Sequence, residues 1–429
     1  MKYLIVIADG SADDPVHSLG GRTPLEVANL ETIDMLASRG EIGTVITIPD
    51  GIKPGSDSGN LSIMGYDPRK YLSGRSPLET VAIGVEMNDT DVAFRANLAT
   101  VDPAGAENYE DYIILDHGAS DITTEESDLL LQVINEKFAN EKLRFYTGTG
   151  YRHCMLIHEG HPNAHTDYEC MPPHDVPGQR VGDNLPKGKN ADFIIDMMKE
   201  SYKLLKDHPV NKAREARGLH PGNTLWIWGQ GKRPDLPDFY EKYGVKASVI
   251  SAVDLIRGIG TFAGMHIVNV PGATGTIDTD YEAKVAYAIE EFKRGQDMVY
   301  LHIEGTDETS HQGNVEAKIR CAQYIDQRVV KPLYAYLRDS GEEFRILVLP
   351  DHRTTVEGRI HTSDFVPFVL YDSSNEAPVD TGRKFTEKSA EAANNHFPDG
   401  YKLADKFFER QELFYIFLKS ISSCSRIFL

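Results

Sequence analysis

Three short apolar runs, widely separated along the chain, predict three buried β-strands. They are Tyr3–Ala8, Val299–Ile303 and Ile346–Leu349. Apolar runs of this length are typical of parallel strands whose two faces are both covered by helices. Ligands and chemistry collect at the carboxyl ends of such strands. The pattern therefore predicts an α/β fold with a functional site at one edge of its sheet.

Side chains with metal-ligand chemistry follow each run: Asp9, Asp307, His311, Asp351, His352 and His361. Taken alone, Asp-x-x-x-His is more often a solvated helix face, and Asp-His after a strand is more often a turn or a helix cap. Their coincidence at three predicted strand ends favours one shared site. Crowded carboxylates repel one another unless cations hold them. Six Asp and His side chains are enough for two ions of the Mn²⁺ or Zn²⁺ type.

A turn rich in glycine and serine, Pro54–Ser62, follows the first predicted strand. Glycine lets backbone N–H groups face an anion, and a small residue after glycine can project its hydroxyl into a site. Ser56 is therefore a candidate nucleophile. Because a serine hydroxyl is too weak an acid to attack unaided, it needs a base or a metal ion. Alone the segment would be an ordinary turn, but beside the Asp and His side chains it indicates catalysis.

The long stretch between the ligand-bearing segments carries none of these motifs. We therefore expect a discontinuous catalytic domain, 1–80 and 270–429, with a smaller α/β domain, 81–269, inserted into it. Periodicity within the insert predicts a strand at 92–99, a helix at 126–134, an amphipathic helix at 197–206 and a short strand at 225–228.

Composition limits the partners. The formal net charge is -20 and the sequence pI is about 5.2, which argues against nucleic acid or an anionic membrane surface. No apolar stretch approaches the roughly twenty residues that a membrane-spanning helix needs. The cysteines form no C-x-x-C pair and indicate reduced thiols in a cytoplasmic protein; they are Cys154, Cys170, Cys321 and Cys424.

An acidic chain with an anionic substrate must gather positive charge locally. Besides metal ions, the candidate substrate-binding residues are Arg152 and His153 in the insert and Lys284 beyond it. Arginine is favoured because its guanidinium fits phosphate and carboxylate groups bidentately.

Several motifs resemble, in the same order, the cofactor-independent phosphoglycerate mutases of the archaeal type, a branch of the alkaline phosphatase superfamily. These motifs are Ile7–Gly10, Pro54–Asp57, Gly65–Pro68, Asp307 with His311, Pro350–His352 and His361–Asp364. The resemblance covers essentially the whole chain. It implies an alkaline-phosphatase-like central sheet with helices on both faces, and an inserted cap domain.

The resemblance also implies the site. One divalent metal would be held by Asp307, His311 and His361, and the other by Asp9, Ser56, Asp351 and His352. Mn²⁺ is expected, with Zn²⁺, Co²⁺ or Mg²⁺ as alternatives, and no 2,3-bisphosphoglycerate. Ser56 would carry the phosphoryl group while 3-phosphoglycerate and 2-phosphoglycerate interconvert in glycolysis and gluconeogenesis. Because water would hydrolyse the phosphoserine, the insert is expected to close as a lid.

Two features depart from the mutase pattern and leave an alternative open. The serine turn of the mutases usually carries a histidine four residues after the nucleophile, where this chain has Asn60, and the segment Gly74–Glu79 also differs. Both resemble a sister group of proposed homoserine kinases. A phosphomonoesterase and an inactive metal-binding relative are further alternatives, and the sequence does not define the oligomeric state.

Overall fold

The computed structural model describes residues 1–377 and 379–409. Its strands are β1 (Lys2–Ala8), β2 (Glu41–Val45), β3 (Val92–Asp102), β4 (Ile113–Asp116), β5 (Leu143–Tyr146), β6 (Arg152–Ile157), β7 (Tyr168–Glu169), β8 (Lys187–Gly188), β9 (Thr224–Lys232), β10 (Ala247–Ile250), β11 (His266–Val268), β12 (Met298–Ile303), β13 (Phe344–Leu349), β14 (Arg353–Thr355), β15 (Ile360–Thr362), β16 (Val366–Asp372) and β17 (His396–Phe397).

Its α-helices are α1 (Pro24–Val27), α2 (Glu31–Arg39), α3 (Ser56–Ile63), α4 (Pro68–Tyr71), α5 (Arg75–Ala82), α6 (Thr124–Phe138), α7 (Ala191–Leu205), α8 (Pro209–Ala216), α9 (Phe239–Tyr243), α10 (Asp254–Phe262), α11 (Tyr281–Lys293), α12 (Gly305–His311), α13 (Val315–Tyr324), α14 (Lys331–Asp339), α15 (Glu387–Ala392) and α16 (Tyr401–Phe408). A π-helix, Ile325–Val330, joins α13 to α14. Short 3₁₀ helices lie at His17–Leu19, Tyr109–Asp111, Pro173–Asp175 and Val181–Asn184.

The chain divides into two compact units. The first unit comprises Met1–Tyr71, Pro237–Val253 and the described residues from Ala263 to Glu409. The second unit comprises Leu72–Leu236 and Asp254–Phe262. The chain therefore passes between the units four times.

These bounds differ from the domain boundaries expected from sequence. Residues 72–80 belong to the second unit, while 237–253 and 263–269 belong to the first. The structural reason is that β10 and β11 pair in parallel with each other and β10 pairs with β12, so that both strands extend the sheet of the first unit. Strands of three and four residues are too short for a periodicity argument to detect.

The first unit is built on an eight-stranded sheet with the order β11-β10-β12-β1-β13-β16-β2-β17. The five strands from β11 to β13 run parallel, and β16 is antiparallel to both of its neighbours. The three predicted apolar strands are confirmed as β1, β12 and β13, which lie side by side and are almost wholly buried. This arrangement confirms the predicted α/β fold class.

Both faces of this sheet are covered. Leu4 and Val6 of β1 pack on one face in a core shared with α2, α11 and α14. On the other face the Tyr3 ring contacts Phe407 and Phe408 of α16, with ring centroids 5.5 and 5.2 Å apart. Burial on both faces explains why β1 has no polar alternation.

The second unit has its own core and its own antiparallel sheet. Strand β3 pairs with β9 along one edge and with β6 and β4 along the other, and β5 pairs with β6. The predicted strand at 92–99, helix at 126–134 and amphipathic helix at 197–206 are found as β3, α6 and α7. The short strand expected at 225–228 is longer and forms β9.

Cys154, Cys170 and Cys321 are free thiols, and Cys424 lies outside the described residues. A search of the described part of the chain finds no helix that is both long and apolar enough to cross a bilayer.

Candidate two-metal site

The six Asp and His side chains singled out from the sequence come together in the first unit as two groups of three. Asp307, His311 and His361 form what we call the histidine-rich group. Asp9, Asp351 and His352 form the carboxylate-rich group. In each group the potential ligand atoms, one from each residue, all lie within 4.8 Å of one another. Both sets fit the mixed oxygen and nitrogen coordination of Mn²⁺, Zn²⁺ or Co²⁺.

The histidine-rich group joins a helix to a hairpin. Asp307 and His311 lie one turn apart on α12, so their side chains share a face. His361 lies on β15, opposite Thr354 of β14. The Asp307 carboxylate is 3.2 Å from His361 Nε2 and 3.4 Å from His311 Nε2, and these two nitrogens are 2.8 Å apart. Three potential ligand atoms thus converge on one point.

The His311 ring is held by the hairpin. Its Nδ1–H donates to the carbonyl of Arg359 at 3.0 Å, and its Nε2 faces Asp307 at 3.4 Å. When protonated, the ring donates a hydrogen bond from Nε2 to Asp307, and when neutral it can offer Nε2 as a metal ligand. Arg359 has φ +56°, a left-handed conformation that is uncommon outside glycine. Burial opposes ionisation of Asp307, but hydrogen bonds with His311 and His361 outweigh it and hold the pKa of Asp307 below its ordinary value.

The carboxylate-rich group lies at the carboxyl ends of β1 and β13. These strands pair in parallel with Ile7 opposite Leu349, so continuing the register sets Asp9 level with Asp351. His352 Nε2 is 3.5 Å from Asp9 and 3.6 Å from Asp351. The Asp351 carboxylate also accepts hydrogen bonds from the backbone N–H groups of Gly10 and His352, at 3.3 and 3.1 Å.

Asp9 indicates that this group is built for a cation. Its side chain is 1% exposed, and neither carboxylate oxygen has a hydrogen-bond partner among the described residues. Burial and the neighbouring carboxylates of Asp351 and Asp307 raise the pKa of Asp9 well above its ordinary value. A buried carboxylate without donors is strongly unfavourable unless a positive charge compensates it, and a divalent ion would do so.

Ser56 lies beside the carboxylate-rich group, as the first residue of α3. Its Oγ is 3.2 Å from His352 Nε2. The close approach depends on Gly59, because a Cβ at that position would lie 2.4 Å from the carbonyl oxygen of Asp351. The helix that carries Ser56 therefore packs directly on the backbone that carries Asp351 and His352.

Asn60, which replaces the histidine expected in the mutase pattern, has a defined role. Its Nδ2 donates to Asp351 Oδ2 at 2.7 Å and to the carbonyl of Ser56 at 2.8 Å. Its Oδ1 accepts a hydrogen bond of 2.6 Å from the hydroxyl of Tyr300 on β12. The amide nitrogen thus orients Asp351 and fixes the first turn of α3, while the amide oxygen is held by Tyr300.

Sequence reasoning missed Tyr300 and His302, both on β12. His302 is fully buried, and its Nε2 is 3.2 Å from Asp9 Oδ2 without the alignment of a hydrogen bond. Its Nδ1 lies 3.4 Å from the hydroxyl of Ser251. Burial lowers the pKa of His302 to about 4. A signal was present, because a histidine and a tyrosine interrupt an apolar strand that ends at the site.

Two of the candidate substrate-binding residues, Arg152 and His153, line a cavity of about 240 Å³ within the second unit. Its other lining residues are Arg75, Arg95, Asn97, His117, Tyr151, His174 and Trp228. The Arg152 guanidinium lies 4.5 Å from the centre of the Tyr151 ring, and that of Arg95 lies 4.6 Å from Trp228. Cationic groups stacked on aromatic rings are suited to an anionic ligand.

His153 is a neutral donor in this cavity. Its Nδ1 accepts the backbone N–H of Gly148 at 3.3 Å, which places the ring proton on Nε2. That Nε2 is buried and has no hydrogen-bond partner among the described residues. Burial lowers the pKa of His153 to about 4, so the ring is uncharged near neutrality.

Lys284, the third candidate, lies in the first unit on α11 and is fully buried. Its Nζ donates to the carbonyl of His302 at 3.4 Å. Burial lowers the pKa of Lys284 to about 8, against the opposing effect of Glu304. The structure thus places this ammonium under β12, in contact with the strand backbone.

Comparison with known proteins finds relatives that match over most of the chain. A family model described as 2,3-bisphosphoglycerate-independent phosphoglycerate mutase matches residues 37–211. A curated protein of that name from Methanothrix thermoacetophila is 45% identical over 390 residues, which is 91% of this chain and 95% of the relative. A Geobacter sulfurreducens protein, named a probable enzyme of the same kind, is 42% identical over 411 residues, covering 96% of this chain and all of the relative.

Two solved structures match over nearly the whole chain. A protein from Pyrococcus horikoshii matches with a TM-score of 0.77 and 28% identity, over 95% of this chain and 96% of that chain. The cofactor-independent phosphoglycerate mutase from Thermoplasma acidophilum matches with a TM-score of 0.65 and 25% identity, over 95% of this chain and 99% of that chain.

Proposed function

Because this chain belongs to the 2,3-bisphosphoglycerate-independent phosphoglycerate mutase family, we propose that it interconverts 3-phosphoglycerate and 2-phosphoglycerate through a phosphoserine at Ser56. The observation that carries the proposal is the placement of Ser56 Oγ, 3.2 Å from His352 Nε2, beside two groups of metal-ligating side chains. The homoserine kinase alternative rested partly on Asn60, and the bonds of Asn60 to Asp351 and Tyr300 account for that residue without a change of substrate.

Two divalent ions fit the ligand sets. Asp307, His311 and His361 would hold one, and Asp9, Asp351, His352 and Ser56 would hold the other. When bound, such ions lower the pKa of a coordinated hydroxyl and neutralise charge on a transferring phosphoryl group. The donor chemistry is compatible with Mn²⁺, Zn²⁺ or Co²⁺, and Mn²⁺ is our choice for a site with three carboxylates and three imidazoles.

The chain's own residues account for the exchange of bonds. Ser56 Oγ gives up its proton and forms a bond to phosphorus while the bond from phosphorus to the 3-oxygen of the glycerate breaks, and the released 3-oxygen takes up a proton. The 2-hydroxyl then loses its proton and attacks phosphorus, the bond from phosphorus to Ser56 Oγ breaks, and Ser56 Oγ takes a proton back. The same atoms serve both directions, so no external phosphate donor is consumed.

Binding of the anionic substrate needs groups that the metal ligands do not supply. We propose that Arg152 and His153 of the second unit serve as such groups, the first by charge and the second by a neutral N–H donor. Lys284, with its Nζ buried against β12, would act on the substrate only indirectly, through the charge that it places under the site.

The test is Ser56→Ala, with Ser62→Ala as the matched control. Ser62 lies on the same helix, and its buried hydroxyl has no hydrogen-bond partner among the described residues, so its loss costs little. Conversion of 3-phosphoglycerate would be followed by ³¹P NMR on Mn²⁺-loaded protein, and phosphorylation of homoserine by ATP would be assayed alongside. We expect Ser56→Ala to lose isomerisation while Ser62→Ala keeps it.

Phosphopeptide labelling and metal removal test the same proposal directly. Acid quenching during turnover should leave phosphate on a peptide that contains Ser56, and chelation followed by added Mn²⁺ should abolish and then restore turnover. Substantial isomerisation by Ser56→Ala would rule out the phosphoserine. Homoserine phosphorylation without isomerisation in the wild type would rule out the mutase assignment.

A further inference from the structure

One hydroxyl bridges the two ligand groups. Thr354, on β14, is fully buried. Its Oγ1 lies 2.6 Å from Asp307 Oδ1 in the histidine-rich group and 3.1 Å from His352 Nδ1 in the carboxylate-rich group. These are direct contacts with one ligand of each group, and no motif in the sequence pointed to Thr354.

The direction of these hydrogen bonds follows from the chemistry of their partners. An ionised carboxylate can only accept, so the hydroxyl hydrogen of Thr354 points to Asp307. The oxygen then offers a lone pair to His352, which must carry its ring proton on Nδ1. As a result the Nε2 lone pair of His352 faces Asp9, Asp351 and Ser56, as a metal ligand requires.

Thr354 is itself held in place from two sides. The buried Nζ of Lys318 donates to the backbone carbonyl of Thr354 at 2.7 Å, and also to Asp13 Oδ2 at 2.7 Å and the carbonyl of Ala12 at 3.3 Å. On the other side is Gly10, with φ +61°, where a Cβ would lie 2.5 Å from Thr354 Oγ1 and 2.7 Å from Asp307 Oδ1. The hydroxyl therefore has little freedom to turn elsewhere.

We propose that Thr354 is a positioning residue that links the two metal sites, fixing the tautomer of His352 and the orientation of Asp307 through one hydroxyl. The inference rests on the two-metal part of the proposed function. Loss of hydrogen bonds behind a metal ligand commonly weakens metal binding 10–100-fold, and here one lost hydroxyl should weaken both sites.

The experiment is a titration of metal-free protein with Mn²⁺, with free Mn²⁺ measured by its EPR signal. Thr354→Val keeps the shape and removes the hydroxyl, whereas Thr354→Ser keeps the hydroxyl. Thr355→Val is the matched control, because the next residue of a strand points to the opposite face. We expect Thr354→Val to raise the Kd of both sites about 10–100-fold, with Thr354→Ser and Thr355→Val close to wild type.

The imidazole ¹⁵N shifts of metal-free protein give a second measurement. His352 should be in the Nδ1–H form in the wild type and in Thr354→Ser, and a mixture of tautomers in Thr354→Val. If the valine variant does not fold, Thr354→Ala against Thr354→Ser makes the same comparison, since those two differ only by the hydroxyl.

Three outcomes would overturn the proposed role of Thr354. Two Mn²⁺ bound by Thr354→Val with wild-type affinity would overturn the role of Thr354 and leave the proposed function intact. Equal weakening in Thr354→Val and Thr354→Ser would assign the effect to altered packing at this position instead of the hydroxyl, and would overturn the role of Thr354 as well. Fewer than two Mn²⁺ bound by the wild type would overturn both this inference and the two-metal centre.

Discussion

His153 should make the second unit sensitive to acid. The side chain is 1% exposed, and burial lowers its pKa to about 4, against about 6.5 in an unfolded chain. We consider His153→Asn, because the amide oxygen of asparagine can still accept the N–H of Gly148 but does not titrate.

The two pKa values determine the sign and size of the pH-dependent change in the free energy of unfolding. Between pH 6.5 and 4 the unfolded chain binds a proton at this position that the folded chain does not, so stability is lost as the pH falls through that window. The loss reaches about 2 kcal/mol at pH 5 and is only about 0.2 kcal/mol at pH 7. His153→Asn should remove this dependence of stability on pH, whatever the substitution itself costs in free energy of unfolding at pH 7.

The chain offers a suitable probe. Its two tryptophans, Trp226 and Trp228, both lie on β9 of the second unit. Urea unfolding followed by their fluorescence therefore reports the unit that contains His153. Chelator would be present throughout, so that metal binding does not add its own pH dependence. The free energy of unfolding would be derived from the transition at pH 7 and at pH 5.

The wild type should lose about 2 kcal/mol more than His153→Asn between these two pH values. Equal losses in the two proteins would refute the argument, because they would show that His153 is not held neutral by burial in the folded state. A difference confined to pH 7 would likewise point to packing and not to protonation.

Two further variants test other parts of the molecule. Lys318→Met breaks an ion pair with Asp13 in which both side chains are 1% exposed, and it should lower the free energy of unfolding by about 3–5 kcal/mol. The control Lys402→Met breaks an exposed pair and should cost far less. Equal losses in the two variants, measured by circular dichroism during urea unfolding, would contradict this. Arg152→Ala should raise the KM for 3-phosphoglycerate and the ratio of phosphate release to isomerisation, both measured by ³¹P NMR, and Arg144→Ala is the matched control. If neither quantity changes, Arg152 is excluded from the substrate site.

Strand ends were the part of the site that the sequence could predict. Asp9 and Asp351 follow long apolar runs, and a parallel sheet brings the ends of such runs to one edge. His311 could be placed because it is one helical turn from Asp307. His361 is harder, since its position depends on a hairpin whose three-residue strands have little pattern of their own.

The partners of residues that act through hydrogen bonds between distant segments could not be predicted. Tyr300 reaches Asn60 across 240 positions, and Thr354 reaches Asp307 across 47. A tyrosine or threonine in a strand is ordinary in composition, and its partner is defined only by strand order and register. The same reason explains the misplaced domain boundary, because β10 and β11 are recognisable as part of the large sheet only once β12 lies beside them.

The discontinuous first unit constrains how the protein is made. Strand β1 is synthesised first, yet both of its neighbours in the sheet, β12 and β13, come from residues 298–349. Asp9 therefore has none of its partners in the metal site until almost three hundred more residues have been synthesised. Most of the second unit, Leu72–Leu236, is contiguous and can fold during that interval. Closing so long a loop makes assembly of the metal centre a late step, after which metal can be captured from the cell.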